Sequence, residues 1–126
     1  MRILTLLLFG ALLSGCVILP KDRALAKSIL DTRGAMGEAA GAEHALTAVF
    51  DGKETTTPAA KTELENGAKE LRYANALFYL KAIPLLAAGD AQAKNAAEAL
   101  QEAKKHAASA NDHLEKAEAA LKDQVK

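Results

Sequence analysis

The chain has 126 residues, and its 16 Lys or Arg balance its 16 Asp or Glu, so the formal net charge at pH 7 is zero. This balance gives no electrostatic reason to expect nucleic-acid binding or a polybasic membrane patch. The single cysteine excludes an internal disulfide. Alanine supplies 28 of the 111 residues after position 15, and Trp is absent. We therefore expect a thin helical core in which the helices lie close together.

A mostly apolar segment over residues 3–13 opens the chain, directly after the basic residue Arg2. It is too short to cross a bilayer as a permanent helix, which needs about 20 residues. A basic start, an apolar core and then small residues are typical of a secretory signal. Here the segment ends at Leu13-Ser14-Gly15-Cys16.

That tetrapeptide resembles the lipobox of bacterial lipoproteins, which consists of Leu, two small residues and Cys. The resemblance implies cleavage between Gly15 and Cys16, a thioether-linked diacylglycerol on the cysteine, and a fatty acyl chain such as palmitate on its new amino group. Two or three acyl chains anchor a protein firmly, which a single chain does not. Val17 stands where an Asp would imply retention at the inner membrane, so the resemblance implies the outer membrane, facing the periplasm. An ordinary signal with a chance cysteine is the alternative.

The predicted domains are a cleaved signal over residues 1–15, a lipidated tether over 16–20 and a helical domain over 21–126. The first helix is predicted at about 21–50. Gly34, Gly37 and Gly41 weaken it, so either another helix approaches closely at Gly37 and Gly41, or the helix breaks near Gly34. Its predicted buried positions recur at three- and four-residue steps: Leu25, Ile29, Thr32, Met36, Ala39 or Ala40, Leu46 and Phe50.

The second helix is predicted from residue 58 to about 83, and possibly to 88. Gly52 is expected to end the first helix, and Thr57 followed by Pro58 is typical of an N-cap and first turn. Pro84 is expected to kink or end the helix, because it removes one backbone hydrogen bond. The positions predicted to face the core are Leu64, Gly67, Leu71, Ala74, Phe78 and Leu85. The nearly continuous apolar run of Leu77, Phe78, Leu80, Ile83, Leu85 and Leu86 is expected to form the centre of the core, and an exposed version of it would be a partner-binding face.

The third helix is predicted over residues 91–124, after a turn at Gly89 and Asp90. Leucine and alanine repeat through it with heptad spacing, which indicates a coiled-coil-like seam. Since short connections favour antiparallel neighbours, the fold class predicted is all-α, an up-down-up antiparallel three-helix bundle with long, Ala-rich helices. The two heptad positions of the third helix are Ala93, Leu100, Ala107, Leu114 and Leu121, and Ala96, Ala103, Ala110 and Ala117.

Catalytic residues, metal ligands and cofactors are not predicted. A nucleophilic enzyme needs a nucleophile beside an oriented base, and the residues after position 15 offer only Ser28, Ser109 and three histidines, which no spacing pairs. His106 and His113 lie seven residues apart, about 10 Å along a helix. A metal on one helix prefers ligands four residues apart, so both are predicted to be surface residues.

These patterns predict a lipid-anchored, non-catalytic envelope protein, either a structural element or an adaptor that binds a protein partner or a second copy of itself. Two alternatives stay open. One is an inhibitor or exclusion lipoprotein that acts on an incoming protein or transfer system. The other is a small-ligand carrier with a cavity lined by Tyr73, Leu77, Phe78 and Tyr79. The predicted partner face consists of apolar residues of the second and third helices: Leu77, Phe78, Leu80, Leu100, Leu114 and Leu121.

The third helix and the lysine that follows it are similar to the murein lipoprotein, whose terminal lysine is joined to peptidoglycan. Lys126 matches that lysine in position. The present chain is longer, contains two predicted turns and lacks a basic-aromatic run before the lysine. The similarity implies a peptidoglycan link at Lys126.

Overall fold

The computed structural model describes residues 22–51 and 57–125. The predictions for Gly15, Cys16, the tether, Gly52 and Lys126 lie outside these residues. The described residues are almost entirely helical and contain no strand, so the all-α class is confirmed. In chain order they form α1 (Arg23–Asp51), α2 (Pro58–Ala76), a π-helical segment (Leu77–Ala82), α3 (Ile83–Ala87), a 3₁₀ turn (Asp90–Gln92) and α4 (Ala93–Val125).

Helix α1 is continuous from Arg23 to Asp51, so the break considered near Gly34 is not observed. Its apolar periodicity predicted the buried face correctly, and of the two candidates it is Ala39 that is buried while Ala40 is exposed. The buried Thr32 hydroxyl donates to the Ser28 carbonyl of the preceding turn at 2.7 Å, which satisfies it inside the core. The buried residues of α1 are Leu25, Ile29, Thr32, Met36, Ala39, Leu46 and Phe50.

Close helix packing occurs at a different glycine from those predicted. Gly37 and Gly41 are exposed, and a Cβ added at either would meet nothing within 4 Å. The expectation that another helix approaches there is therefore wrong within this chain. A Cβ at Gly67 of α2 would instead lie 2.9 Å from Cγ of Leu114 in α4 and 3.3 Å from the Ala110 carbonyl oxygen. A Cβ at Gly67 would force a neighbouring atom to move, so glycine is favoured where α2 and α4 approach each other.

Helix α2 begins as predicted. Thr57 has an extended backbone (φ −65°, ψ 148°), and its hydroxyl accepts a hydrogen bond from the Ala60 amide at 3.3 Å. Pro58 occupies the first turn, where its missing N–H would have no helical partner. The N-cap prediction is confirmed.

Pro84 does not end the helix, and it lies in the first turn of α3, directly after the π segment. The helix widens into the π segment just before it, and the Ile83 amide bonds to the Phe78 carbonyl, five residues back. A proline ring clashes with the carbonyl four residues earlier and cannot donate to it. A widened turn is one way a helix continues past such a site, and here it runs on through Ala87.

The π segment shifts the core register of the second helix by one residue. Ala60, Gly67 and Ala74 are buried at seven-residue intervals, so the next core position would be Lys81. Lys81 is exposed instead, and Ala82 is fully buried. An extra residue in one helical turn rotates the following residues around the axis, which keeps a lysine out of the core.

The same shift corrects a predicted core position further along. Leu85 continued the predicted spacing, but the residues of α3 that pack on the core are Ile83 and Leu86. The turn that follows contains Gly89 at φ 110°, a left-handed conformation that favours glycine. Asp90 was expected to cap the third helix and is instead the first residue of the 3₁₀ turn.

Helix α4 is the centre of the domain, since both α1 and α2 pack mainly on it. Its two predicted heptad positions are buried or half-buried throughout. Contacts between α2 and α4 run in opposite chain order, because Glu63 meets His113 and Glu70 meets His106. Contacts between α1 and α4 run in the same order: Thr32 lies near Leu100, and the Ala35 carbonyl accepts from the Asn111 amide.

Within residues 22–51 and 57–125, no helix is both long enough and apolar enough to cross a bilayer.

Candidate functional site: the α2–α4 seam and the exposed apolar residues

Two histidine–glutamate pairs cross the seam between α2 and α4. Nδ1 of His113 lies 2.6 Å from Oε2 of Glu63, and Nδ1 of His106 hydrogen-bonds Oε2 of Glu70. An Nδ1–H that donates to a carboxylate fixes both the orientation and the proton position of the imidazole. The Tyr73 ring also lies against His106, with ring centroids 5.5 Å apart. Both pairs are partly buried, which limits their screening by solvent.

These pairs correct the prediction that His106 and His113 are plain surface residues. The sequence contained a signal that would have found them. Glu63 and Glu70 are seven residues apart on the second helix, and the two histidines are seven apart on the third. In an antiparallel pairing the first glutamate then faces the second histidine, and the second glutamate faces the first histidine. The match appears only when the spacings on the two helices are compared, and the spacing of the histidines alone does not reveal it.

The predicted partner face divides into buried and exposed residues. Phe78, Leu100 and Leu114 are at most 2 % exposed and belong to the internal core. They contact other helices of the same chain, so a partner cannot reach them without unfolding. Leu77 and Leu121 are half-buried against that core. Leu80 is 79 % exposed, so its expected place in the core is wrong, and it is the residue of this set most available to another molecule.

The residues proposed to line a ligand cavity lie partly in the core and partly on the surface. Phe78 packs into the core, whereas Tyr73 and Tyr79 each expose about half of their surface. Three concave regions of the described surface are lined largely by polar and small residues. One lies between α1 and α4 around Leu25 and Ala97, and one lies beside the Glu70–His106 pair at Ser109. The third lies along α4 at Glu98, Gln101, Glu102, Lys104 and Lys105.

Other charged groups of the described domain form surface pairs. Lys104 Nζ lies 3.9 Å from Asp31 Oδ2, and Lys116 lies 3.1 Å from Asp112 one turn earlier on α4. The hydrogen bond and the charge of Asp112 raise the pKa of Lys116, which remains fully exposed. Among residues 22–51 and 57–125, no three His, Cys, Asp or Glu side chains come together as metal ligands would.

The fold and these surfaces define a small all-α domain built on three long helices. The sequence matches no protein-family model, and no curated protein and no solved structure matches it.

Proposed function

We propose that the chain is a lipid-anchored, non-catalytic protein of the bacterial cell envelope, which acts as a structural or protein-interaction component. The observation that carries the proposal is Leu13-Ser14-Gly15-Cys16 at the end of an apolar segment. This arrangement is typical of a lipoprotein signal, and lipidation also accounts for a single cysteine in an exported chain. The proposed location is the outer membrane, with the helical domain in the periplasm.

We further propose that the domain is an up-down-up antiparallel three-helix bundle. The reversed order of the Glu63–His113 and Glu70–His106 contacts supports an antiparallel α2 and α4. The matching order of the Thr32 and Ala35 contacts to α4 supports a parallel α1 and α4. In this arrangement α1 leads away from the anchor, α2 returns, and α4 leads away again.

The internal packing of the domain supports interaction rather than catalysis. The Ala and Leu seam of α4 is occupied by α1 and α2, and the two histidines are paired with glutamates. A catalytic base must reach a nucleophile or a substrate. Both histidines instead bond α4 to α2 through their glutamate partners. Such contacts favour a rigid structural component.

Membrane fractionation tests the anchor. The full-length gene is expressed in a bacterial host, and envelope membranes are separated on a sucrose gradient after washing with high salt. The wild type is expected in the outer-membrane fraction, and Cys16→Ser in the inner-membrane fraction or the soluble periplasm. Ser14→Ala is the matched control, because a small residue at that position keeps the lipobox pattern. Equal fractionation of wild type and Cys16→Ser would refute the anchor.

Crosslinking in intact cells tests the interaction role. A permeable amine crosslinker followed by affinity purification of the wild type is expected to yield a defined crosslinked species, either with an envelope protein or with a second copy of the chain. Cys16→Ser should lose that species, since it no longer shares a surface with the partner. If the wild type is recovered only as an uncrosslinked monomer, the interaction role is refuted and the anchor is not.

A further inference from the structure

We propose that the half of the domain next to the anchor lies against anionic phospholipid headgroups, with Tyr79 and Leu80 in contact with the lipid. This inference rests on the proposed lipid anchor at Cys16 and adds a surface to it. It assigns a ligand class, anionic phospholipid, to residues that the internal packing of the chain leaves exposed.

The helix contacts divide the domain into two halves. The Glu70–His106 contact marks one level across α2 and α4, and the contacts of Thr32 and Ala35 with α4 mark a similar level on α1. The proximal half, which contains the start of α1, comprises residues 22–33 and 71–105. The distal half comprises residues 34–51, 57–70 and 106–125.

Basic and acidic residues are distributed unequally between these two halves. The proximal half contains eight Lys or Arg and five Asp or Glu, whereas the distal half contains four Lys or Arg and ten Asp or Glu. Over the described residues, the net charge is therefore +3 in the proximal half and −6 in the distal half, a difference that the total charge of the chain does not reveal. Basic residues are attracted to an anionic lipid surface within about one Debye length, and acidic residues are repelled. The expectation of no polybasic membrane patch rested on total charge, which does not show this difference between the two halves.

Exposed apolar side chains are concentrated in the same half. Among the described residues, four of the five large exposed hydrophobic side chains are proximal, and only Val49 is distal. Leu80 is 79 % exposed and Tyr79 is 54 % exposed, and Lys81 follows them on the surface. Tyrosine rings favour the headgroup level of a membrane, where the ring is in an apolar layer and the hydroxyl is in water. A neighbouring lysine extends its charge to the phosphates.

The π segment explains why Lys81 points outward beside Tyr79 and Leu80. Continuation of the seven-residue core spacing would have buried Lys81, and the extra residue of the π turn buries Ala82 instead. A lysine that stays exposed beside Tyr79 and Leu80 completes a surface with both apolar and basic groups. That combination fits an anionic lipid interface.

The proposed lipid on Cys16 favours a membrane over a protein partner as the molecule that contacts this surface. Asp22 is six residues after Cys16, a span of at most about 20 Å when fully extended. Leu80 lies seven residues before the end of α3, about 10 Å along the helix axis. A lipid on Cys16 therefore holds the proximal half, and with it Leu80, within reach of the bilayer that contains the lipid.

Tryptophan fluorescence tests the contact, because the natural chain has no Trp. Full-length lipidated Leu80→Trp is reconstituted in vesicles of phosphatidylethanolamine and phosphatidylglycerol at roughly three to one, a proportion that gives an anionic surface. Its emission is measured with and without lipids brominated in the acyl chains. Val49→Trp is the matched control, since it also replaces an exposed apolar residue of a helix. Tyr79→Trp provides a second proximal probe if Leu80→Trp does not fold.

We expect the proximal indole to emit at shorter wavelength and to lose most of its emission with brominated lipids, while Val49→Trp stays unchanged. Adding Lys81→Gln and Lys94→Gln should reduce the quenching, and adding the distal pair Lys61→Gln and Lys69→Gln should not. Unquenched, water-like emission from both proximal probes would overturn the inference, as would equal quenching of proximal and distal probes. Fractionation of Cys16→Ser reports on the anchor separately, so a failed anchor is distinguished from a failed lipid contact.

Discussion

The seam between α2 and α4 and the outer face of α1 differ in the space around their glycines and in their polar contacts with other helices. At the seam, Gly67 has no room for a Cβ because Leu114 lies against it. On α1, three glycines face open space, and Leu30 is 60 % exposed. Two histidine–glutamate pairs cross the seam. Helix α1 packs on α4 mainly through large apolar side chains, with one hydrogen bond from the Asn111 side chain to the Ala35 carbonyl and a surface pair of Asp31 with Lys104.

This difference shows that two kinds of contact stabilise the same small domain. Close approach and paired side chains fix the register of α2 on α4, because each contact is possible at only one alignment. Helix α1 is held mainly by buried volume, through residues such as Ile29 and Phe50. Substitutions at the seam should therefore be costly, and substitutions on the outer face of α1 should be tolerated or stabilising.

The largest effect is expected from Leu114→Ala. Leu114 is 2 % exposed and fills the space beside Gly67, so its truncation should lower the free energy of unfolding by about 3 kcal/mol. Urea denaturation of full-length Cys16→Ser protein, followed by circular dichroism, measures the change. Leu30→Ala is the control on α1 and should change stability by less than about 0.5 kcal/mol. Equal losses for the two variants would show that the seam has no special role.

A pair of identical substitutions should shift stability in opposite directions. Gly67→Ala should destabilise the protein by about 1–2 kcal/mol, since the added Cβ meets Leu114 and the Ala110 carbonyl and overpacking outweighs the gain in helix propensity. Gly37→Ala should stabilise it by about 0.5–1 kcal/mol, because the position is open and alanine favours the helix. The same urea titration compares them. Stabilisation by both would mean that α2 and α4 can move apart at no cost.

A smaller effect is expected from the polar pairs. A double-mutant cycle with Glu63→Gln and His113→Gln should give a coupling of about 1 kcal/mol, the usual range for a partly buried hydrogen bond. The exposed pair Asp112 and Lys116 on α4 is the control and should show no measurable coupling. A coupling no larger at the seam than at the surface would contradict the register-fixing role of the histidines.

Sequence periodicity predicted most of the fold. The buried positions of α1 and the heptads of α4 followed directly from apolar spacing, and Thr57 followed from its place before Pro58. Apolar spacing did not predict the register shift at Lys81 and Ala82. Pro84 was expected either to kink or to end the helix, and neither outcome implies such a shift. A π turn changes register without changing composition, so spacing rules do not detect it.

The candidate surfaces were less predictable because they depend on two helices at once. Leu80 belonged to the predicted partner face, but only packing separates it from the buried Phe78 and Leu100. The histidine pairs and the sorted charge likewise require knowledge of which residues of α2 and α4 lie at the same level. A total charge of zero contains none of that information.

The central claim is that Cys16 anchors the domain to a membrane, and the mass of the mature N-terminal peptide tests it most directly. Wild-type protein is purified from bacterial membranes and digested, and its N-terminal fragment is analysed by mass spectrometry. The account predicts a fragment that begins at Cys16 and carries a diacylglyceryl group with an additional amide-linked acyl chain. A fragment that retains residues 1–15, or that begins at Cys16 with a free thiol, would contradict it.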